Sequence, residues 1–196
     1  VVFDVPTKRF TVTLKHGALM PRHEVEAVMA AHNEATSEQF EVVWDVASAT
    51  PTAEAKVVPF RLTTVDGEAY DFGSVLGQRP AVVSFWASWC APCVVEAPHL
   101  QVLHAELGDK IEVVGVSIDE PSKRGKLKAL VKRLGLSYPV PLDADGAIYA
   151  QFNPGGSIPY TLVVNAAGDV TYVATNFEEG DEVKLRAAVE AIVSGP

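Results

Sequence analysis

Cysteine is scarce: two in 196 residues. That excludes a small secreted scaffold stapled by several disulfides, and also a self-contained four-cysteine zinc site. Five histidines are present, none at a matching paired spacing, so a zinc site shared between chains would lack its other ligands. No apolar run approaches the roughly 20 residues of a membrane-spanning helix. Positive charge is in deficit, with 16 Lys and Arg against 25 Asp and Glu. The formal charge of -9 argues against nucleic acid and anionic membrane surfaces as partners. Aromatic residues make up only 8%, yet a hydrophobic fraction of 48% suffices for a core and argues against disorder. An initial Met is missing too. The chain opens on Val1, which suggests a fragment whose leader, a signal peptide or lipid anchor, has been removed.

Both cysteines fall in one stretch, Ser84-Phe85-Trp86-Ala87-Ser88-Trp89-Cys90-Ala91-Pro92-Cys93. Residues 81–85 form a short valine-bearing apolar run of the kind a buried strand favours. Past the motif, Val94, Val95, Ala97, Leu100, Val102, Leu103 and Leu107 recur at helical spacing. The dithiol therefore sits where a buried strand hands over to a helix. A first helical turn has unpaired backbone N–H groups and the positive end of the macrodipole, so a thiolate there is stabilised and its pKa falls. The second cysteine, one turn on, is within disulfide reach. This arrangement suits thiol–disulfide exchange, with no third thiol in the chain to act as an internal relay.

Residues 1–46 read as a small β-α-β unit. Phe10, Val12 and Leu14 alternate with polar neighbours, Pro21 opens a helix carrying Val25, Val28, Met29 and His32 on one face, and Phe40, Val42, Trp44 and Val46 alternate again. So small a unit buries little surface by itself. It is expected to pack on the main domain or on the same unit of another copy, a route to self-association. Residues 47–56 are small and polar with one proline, a linker. Residues 57–196 then alternate strands and helices. A hairpin turns at Asp66-Gly67, a helical turn falls near 71–76, and strands are expected at 81–85, 111–118, 160–165 and 170–174. A basic-faced helix carries Leu127, Leu130, Val131 and Leu134, a short one runs to Phe152, and a last helix places Val183, Leu185, Val189 and Ile192 on its apolar face. The pattern is an α/β layer sandwich with a mixed sheet.

Several residues have plain structural readings. Trp86 belongs to the core, and Trp89 to the rim of a substrate surface. His99 and His104, five apart, are read as exposed and without function. Asp143 and Asp145 flank a turn and lack the further oxygen ligands of a calcium loop. The basic run at 123–132 is the solvated face of a helix.

On Trp89-Cys90-Ala91-Pro92-Cys93 the chain resembles the thioredoxin superfamily. More narrowly, residues from about 57 to 194 resemble its TlpA/ResA-like branch of extracytoplasmic thiol–disulfide oxidoreductases. The run Phe85-Trp86-Ala87-Ser88-Trp89 is in the style of that branch. Residues 139–152, with Leu142-Asp143-Ala144-Asp145-Gly146, resemble its insert, and residues 156–165 resemble the segment that carries the superfamily's cis-proline. The resemblance implies a thioredoxin-like three-layer sandwich and a cis bond at Ile158–Pro159. Glu96, three residues past Cys93, is implied to be a carboxylate near the dithiol that helps proton movement. Plain thioredoxins place a buried acid where this chain has Ser84. Residues 1–46 lie outside the resemblance.

The expected activity is thiol–disulfide exchange, with Cys90 attacking, Cys93 resolving and Glu96 assisting. Trp89, Ala91, Pro92, Ser157, Ile158 and Pro159 would form the face that meets substrate, through backbone pairing with an extended strand. No metal and no cofactor beyond a redox-active Cys90–Cys93 disulfide are expected. The resemblance implies a substrate protein bearing disulfides or thiols and a membrane-bound thiol electron donor as partners. It also implies an extracytoplasmic location, periplasmic or membrane-anchored, and a lean toward reduction, as in cytochrome c maturation. Two other classes stay open. A peroxiredoxin-type peroxidase shares the architecture but wants a threonine shortly before its cysteine, where Ser88 and Trp89 stand. A non-catalytic binding module would use residues 1–46 for recognition and carry the dithiol as a passenger.

Overall fold

The computed structural model describes residues 2–4, 9–11, 56–153 and 156–194. The chain divides into two compact units, Val1–Ser48 and Ala49–Pro196. In the first, β1 (Val2–Asp4) pairs antiparallel with β2 (Arg9–Thr11), Phe3 opposite Phe10. The strand expected from Phe10 onward is thus seen at its start, with a partner too short to show any alternation in sequence. The helix expected after Pro21, the strand around Phe40 to Val46 and residues 47–55 lie outside the described residues.

The second unit is built on a seven-stranded mixed sheet. Its strands are β3 (Arg61–Thr64), β4 (Ala69–Asp71), β5 (Ala81–Trp86), β6 (Glu112–Ser117), β7 (Pro141–Leu142), β8 (Tyr160–Val164) and β9 (Val170–Thr175), in the order β4-β3-β7-β6-β5-β8-β9. The helices are α1 (Ala91–Leu107), α2 (Arg124–Arg133), α3 (Ala147–Phe152) and α4 (Asp181–Ser194). β5 runs parallel to β6 and antiparallel to β8, so it lies at the middle of the sheet. Every residue of β5, β6 and β8 is buried, which is why these strands read as mainly apolar runs rather than as alternations.

Alternation still decides which face each side chain takes. Val82, Trp86 and Val163 pack under α1, α2 and α4, together with Leu100, Leu127 and Val189. Ala81, Val83, Phe85, Tyr160 and Leu162 face the other way, onto Phe60, Phe72 and Tyr149. Phe85 is fully buried, its ring 5.7 Å from those of both Tyr149 and Phe152. Burying such a ring contributes about 2–3 kcal/mol. Ser84 and Thr161, by the same alternation, point toward α1.

Some burial differs from the sequence expectation. Val95 and Val102 are exposed, and the buried positions of α1 are Cys93, Glu96, Ala97, Leu100 and Leu103. The helix is apolar nearly all round, so spacing alone does not select its inner face. Val183 likewise points outward, two residues from buried Leu185 and therefore on the opposite side of α4. His99 and His104 are half-buried rather than exposed, lying against Phe177 and Tyr138 respectively.

Candidate active site

The chain leaves β5 through Trp86, whose indole N–H donates to the Gly115 carbonyl at 3.2 Å. A Cβ at Gly115 would stand 3.0 Å from that indole nitrogen and 2.9 Å from the Tyr138 ring, so the close fit needs glycine. Residues 87–90 then form a tight turn, closed by the Cys90 N–H donating to the Ala87 carbonyl at 3.1 Å. Trp89 stands at its outer corner, 59% exposed. Cys90 caps α1: its sulfur accepts the Cys93 N–H at 3.3 Å, and its carbonyl accepts the Val94 N–H at 3.1 Å. Pro92 occupies the first turn, where a missing N–H costs nothing. Pro98 inside the helix has no N–H to offer the Val94 carbonyl.

Cys90 and Cys93 are joined as a disulfide, with Cα atoms 5.3 Å apart. Cys90 is the more accessible of the two, but only slightly, at 6% against 1%. Its sulfur is covered by the loop before β8, lying 3.7 Å from the Ile158 carbonyl oxygen. In the disulfide that is a contact between two acceptors. Once reduced, a Cys90 thiol can donate to the same carbonyl, or ionise toward the helix amides.

The Ile158–Pro159 peptide is cis. The Ser157 carbonyl accepts from Asn153 Nδ2 at 2.5 Å and from the Tyr149 hydroxyl at 3.3 Å, so α3 and the residue after it fasten the loop. The Pro159 carbonyl accepts the Asn176 N–H at 2.9 Å. Two of the three carbonyls expected to offer themselves to substrate are therefore already engaged within the protein. Ser157 is exposed, Ile158 half-buried and Pro159 buried, while across the dithiol Ala91 is exposed and Pro92 half-buried.

Glu96 lies one turn past Cys93 on the buried side of α1, 1% exposed. Ser84 O–H donates to its Oε2 at 3.0 Å and Thr161 O–H to its Oε1 at 2.8 Å, while the two hydroxyl oxygens are 2.9 Å apart. The strand register places Ser84 directly opposite Thr161, so both reach the same carboxyl. Burial pushes Glu96 from its ordinary 4.5 up to about 7, the Thr161 and Ser84 hydroxyls pulling partly back. The three contacts form a closed triangle. An ionised Glu96 leaves two hydroxyl hydrogens for three edges, and two oxygens face each other bare. A protonated Glu96 supplies the third hydrogen, and every edge is a hydrogen bond.

Two further groups were not singled out from sequence. Thr161, like Ser84, is a polar residue inside an apolar strand, and that interruption was the available signal. Asp119 follows β6 as an ordinary-looking loop acid, yet it is fully buried and holds Ser88. Asp143, with its turn, is buried and accepts the Ile148 and Tyr149 N–H groups at the start of α3. Among the described residues no three His, Cys, Asp or Glu side chains converge as metal ligands.

Residues 53–173 match the AhpC/TSA family. The thioredoxin-like protein YneN of Bacillus subtilis is 32% identical over 129 residues, covering 64% of this chain and 74% of that protein. The thiol-disulfide oxidoreductase ResA of Halalkalibacterium halodurans is 27% identical over 124 residues, 63% of this chain and 68% of ResA. The solved structure of a secreted Mycobacterium tuberculosis disulfide oxidoreductase homologous to E. coli DsbE is 29% identical, with a TM-score of 0.59, over 67% of this chain and 94% of that one.

Proposed function

The chain belongs to the AhpC/TSA family and is a thiol–disulfide oxidoreductase of thioredoxin-like fold, and we propose that it works through Cys90 as attacking thiolate and Cys93 as resolving thiol. One observation carries the assignment of roles: the Cys90–Cys93 disulfide caps α1, with the Cys93 N–H already directed at the Cys90 sulfur. When the pair is reduced, that amide and the helix end stabilise a Cys90 thiolate.

In the reducing direction the Cys90 thiolate attacks one sulfur of a substrate disulfide. A Cys90–substrate bond forms, the substrate bond breaks, and the released sulfur takes a proton from water. Cys93 then gives its proton to the Glu96 carboxylate and attacks the Cys90 sulfur, expelling the second substrate thiolate. Two electrons have passed to substrate, and the protein is left as the disulfide with Glu96 protonated. The closed hydrogen-bond triangle around Glu96 in the oxidised protein matches that end state. A carboxyl near 7 is available in both forms at neutral pH.

Trp89, Ala91 and Pro92 meet the substrate on one side of the sulfurs, and Ser157, Ile158 and Pro159 on the other. With the Ser157 and Pro159 carbonyls engaged, Ile158 is the residue whose backbone pairs with an extended substrate strand. The disulfide is itself the redox group, and the cycle uses no other cofactor. That the similar Mycobacterium tuberculosis oxidoreductase is a secreted protein supports work outside the cytoplasm. There the protein acts as a reductant, of the kind that serves cytochrome c maturation, recharged by a membrane-bound thiol donor. Self-association through residues 1–46 belongs to the same reading.

Dithiothreitol-driven reduction of insulin tests the cycle. Cys90→Ser falls to the uncatalysed rate, and pre-reduced Cys93→Ser, freed of dithiothreitol before insulin is added, accumulates a mixed disulfide with insulin at Cys90, seen by mass spectrometry. Retention of activity in Cys90→Ser sinks the assignment. Peroxide consumption faster than insulin reduction transfers the protein to the peroxidase class instead.

A further inference from the structure

Asp119 is buried at 0% exposure immediately beyond β6. Its Oδ2 accepts the Ser88 N–H at 2.7 Å and the Ser117 hydroxyl at 2.8 Å, and its Oδ1 accepts the Ser88 hydroxyl at 2.6 Å. Ser117 is itself held, because its oxygen accepts the Asp119 N–H at 3.1 Å. One carboxylate therefore grips both donors of Ser88, one on each oxygen, and two such points of attachment fix the residue's orientation. An asparagine cannot reproduce this, since only one of its two terminal atoms accepts.

Ser88 is the second residue of the turn 87–90 that sets Trp89 outward and delivers Cys90 to the helix end. Neighbouring strands are tied at the same level, the Ile118 N–H donating to the Trp86 carbonyl at 2.9 Å. Of the other ionisable groups on the elements around the turn, Glu96 of α1 and Tyr138 after α2 are buried, while beyond β6 Glu120 is exposed and Lys123 half-buried. Asp119 is the one that bonds the turn itself among the described residues.

We propose that Asp119 is a positioning residue of the dithiol, which clamps the turn that presents Trp89 and Cys90 and sets a fixed negative charge behind the attacking sulfur. The clamp rests on the reading of Cys90 as the attacking thiol. A four-residue turn keeps the carboxylate within roughly 10 Å of the Cys90 sulfur. The disulfide is neutral and the reduced pair carries a thiolate, so a sheltered negative charge at that range penalises the reduced form. Electrons then leave the dithiol more readily. The charge favours a reductant.

Equilibration with glutathione at pH 7, read by alkylation and mass, tests the charge, and kcat/KM for insulin reduction tests the clamp. Asp119→Asn shifts the equilibrium toward the dithiol by at least about threefold. Ser88→Ala keeps the charge, so its equilibrium stays within about twofold of the parent, while its kcat/KM falls roughly threefold and Ser88→Thr restores it. A cooperatively folded Asp119→Asn with the parental glutathione equilibrium overturns the charge effect. Wild-type kcat/KM in Ser88→Ala overturns the clamp, and that result decides even where Asp119→Asn does not fold. The glutathione equilibrium does not depend on insulin turnover. A parent that equilibrates with glutathione but leaves insulin untouched therefore fails the proposed activity without touching the charge effect.

Discussion

Glu96 and Asp119 are acids of nearly equal burial, 1% and 0% exposed, one on the helix that carries the dithiol and the other bonded to the turn before it, and each is met by hydroxyl groups. They differ in the supply of hydrogens. Around Asp119 three contacts are served by three donors, one of them a backbone amide that cannot turn away. Around Glu96 three contacts share two hydroxyl hydrogens, and the third must come from the acid. Burial is common to both sites, so burial alone does not separate an anchor from a proton store. The count of hydrogens against edges does.

The largest test of that contrast is Asp119→Ala. It leaves the Ser117 hydroxyl, buried, and the amide and hydroxyl of half-buried Ser88 without their acceptor. At about 1–3 kcal/mol for an unmade buried bond, and less where water reaches, the loss is about 3 kcal/mol. In a domain of this size the thermal midpoint falls by about 10 °C. Urea unfolding of the oxidised protein at pH 7 measures the loss, and a change below about 1 kcal/mol removes Asp119 as an anchor.

Glu96→Gln runs the other way. The glutamine amide donates to Ser84 and its oxygen accepts from Thr161, so the triangle stays closed at every pH. In the parent, the folded state holds its proton to about 7 while the unfolded chain releases it near 4.5. Between those values the folded state binds more protons than the unfolded one, so stability falls as pH rises, by about 1.4 kcal/mol per unit. Below 4.5 and above 7 the contribution is flat. Relative to the parent, Glu96→Gln therefore gains about 2 kcal/mol between pH 5.5 and pH 8. Denaturant titrations at the two pH values give the number, and a difference that does not change with pH ends the proton-store reading.

How much of this was legible in the chain varies with how local the cause is. The dithiol at a strand-to-helix junction was visible because strand run, motif and helix pattern are contiguous. Ser84 was legible only as standing where plain thioredoxins carry an acid, and Thr161 was not singled out; 77 positions separate them, and only the antiparallel register of β5 and β8 makes them partners. Asp119 gave no sign, because a loop acid after a strand is ordinary and its burial depends on the turn folded over it. Val95 and Val102 fell in the helical-spacing pattern yet are exposed, since apolar residues run nearly all round α1 and spacing does not select its inner face. The cis bond at Pro159 came through resemblance, not through local physics.

The smallest effect is also the most specific to the triangle. Ser84→Ala and Thr161→Val each remove two of its three edges and cost about 1 kcal/mol at pH 5.5. Both single changes delete the same Ser84–Thr161 edge, so the double variant costs less than the sum, by on the order of 1 kcal/mol. At pH 8 Glu96 is ionised, both hydroxyls donate to it, and no hydrogen remains between them. The shared edge is gone, and the coupling vanishes with it. A double-mutant cycle by urea unfolding at each pH reads this directly. Equal coupling at both means the two hydroxyls bond one another whatever Glu96 does, and the proton is not what closes the ring.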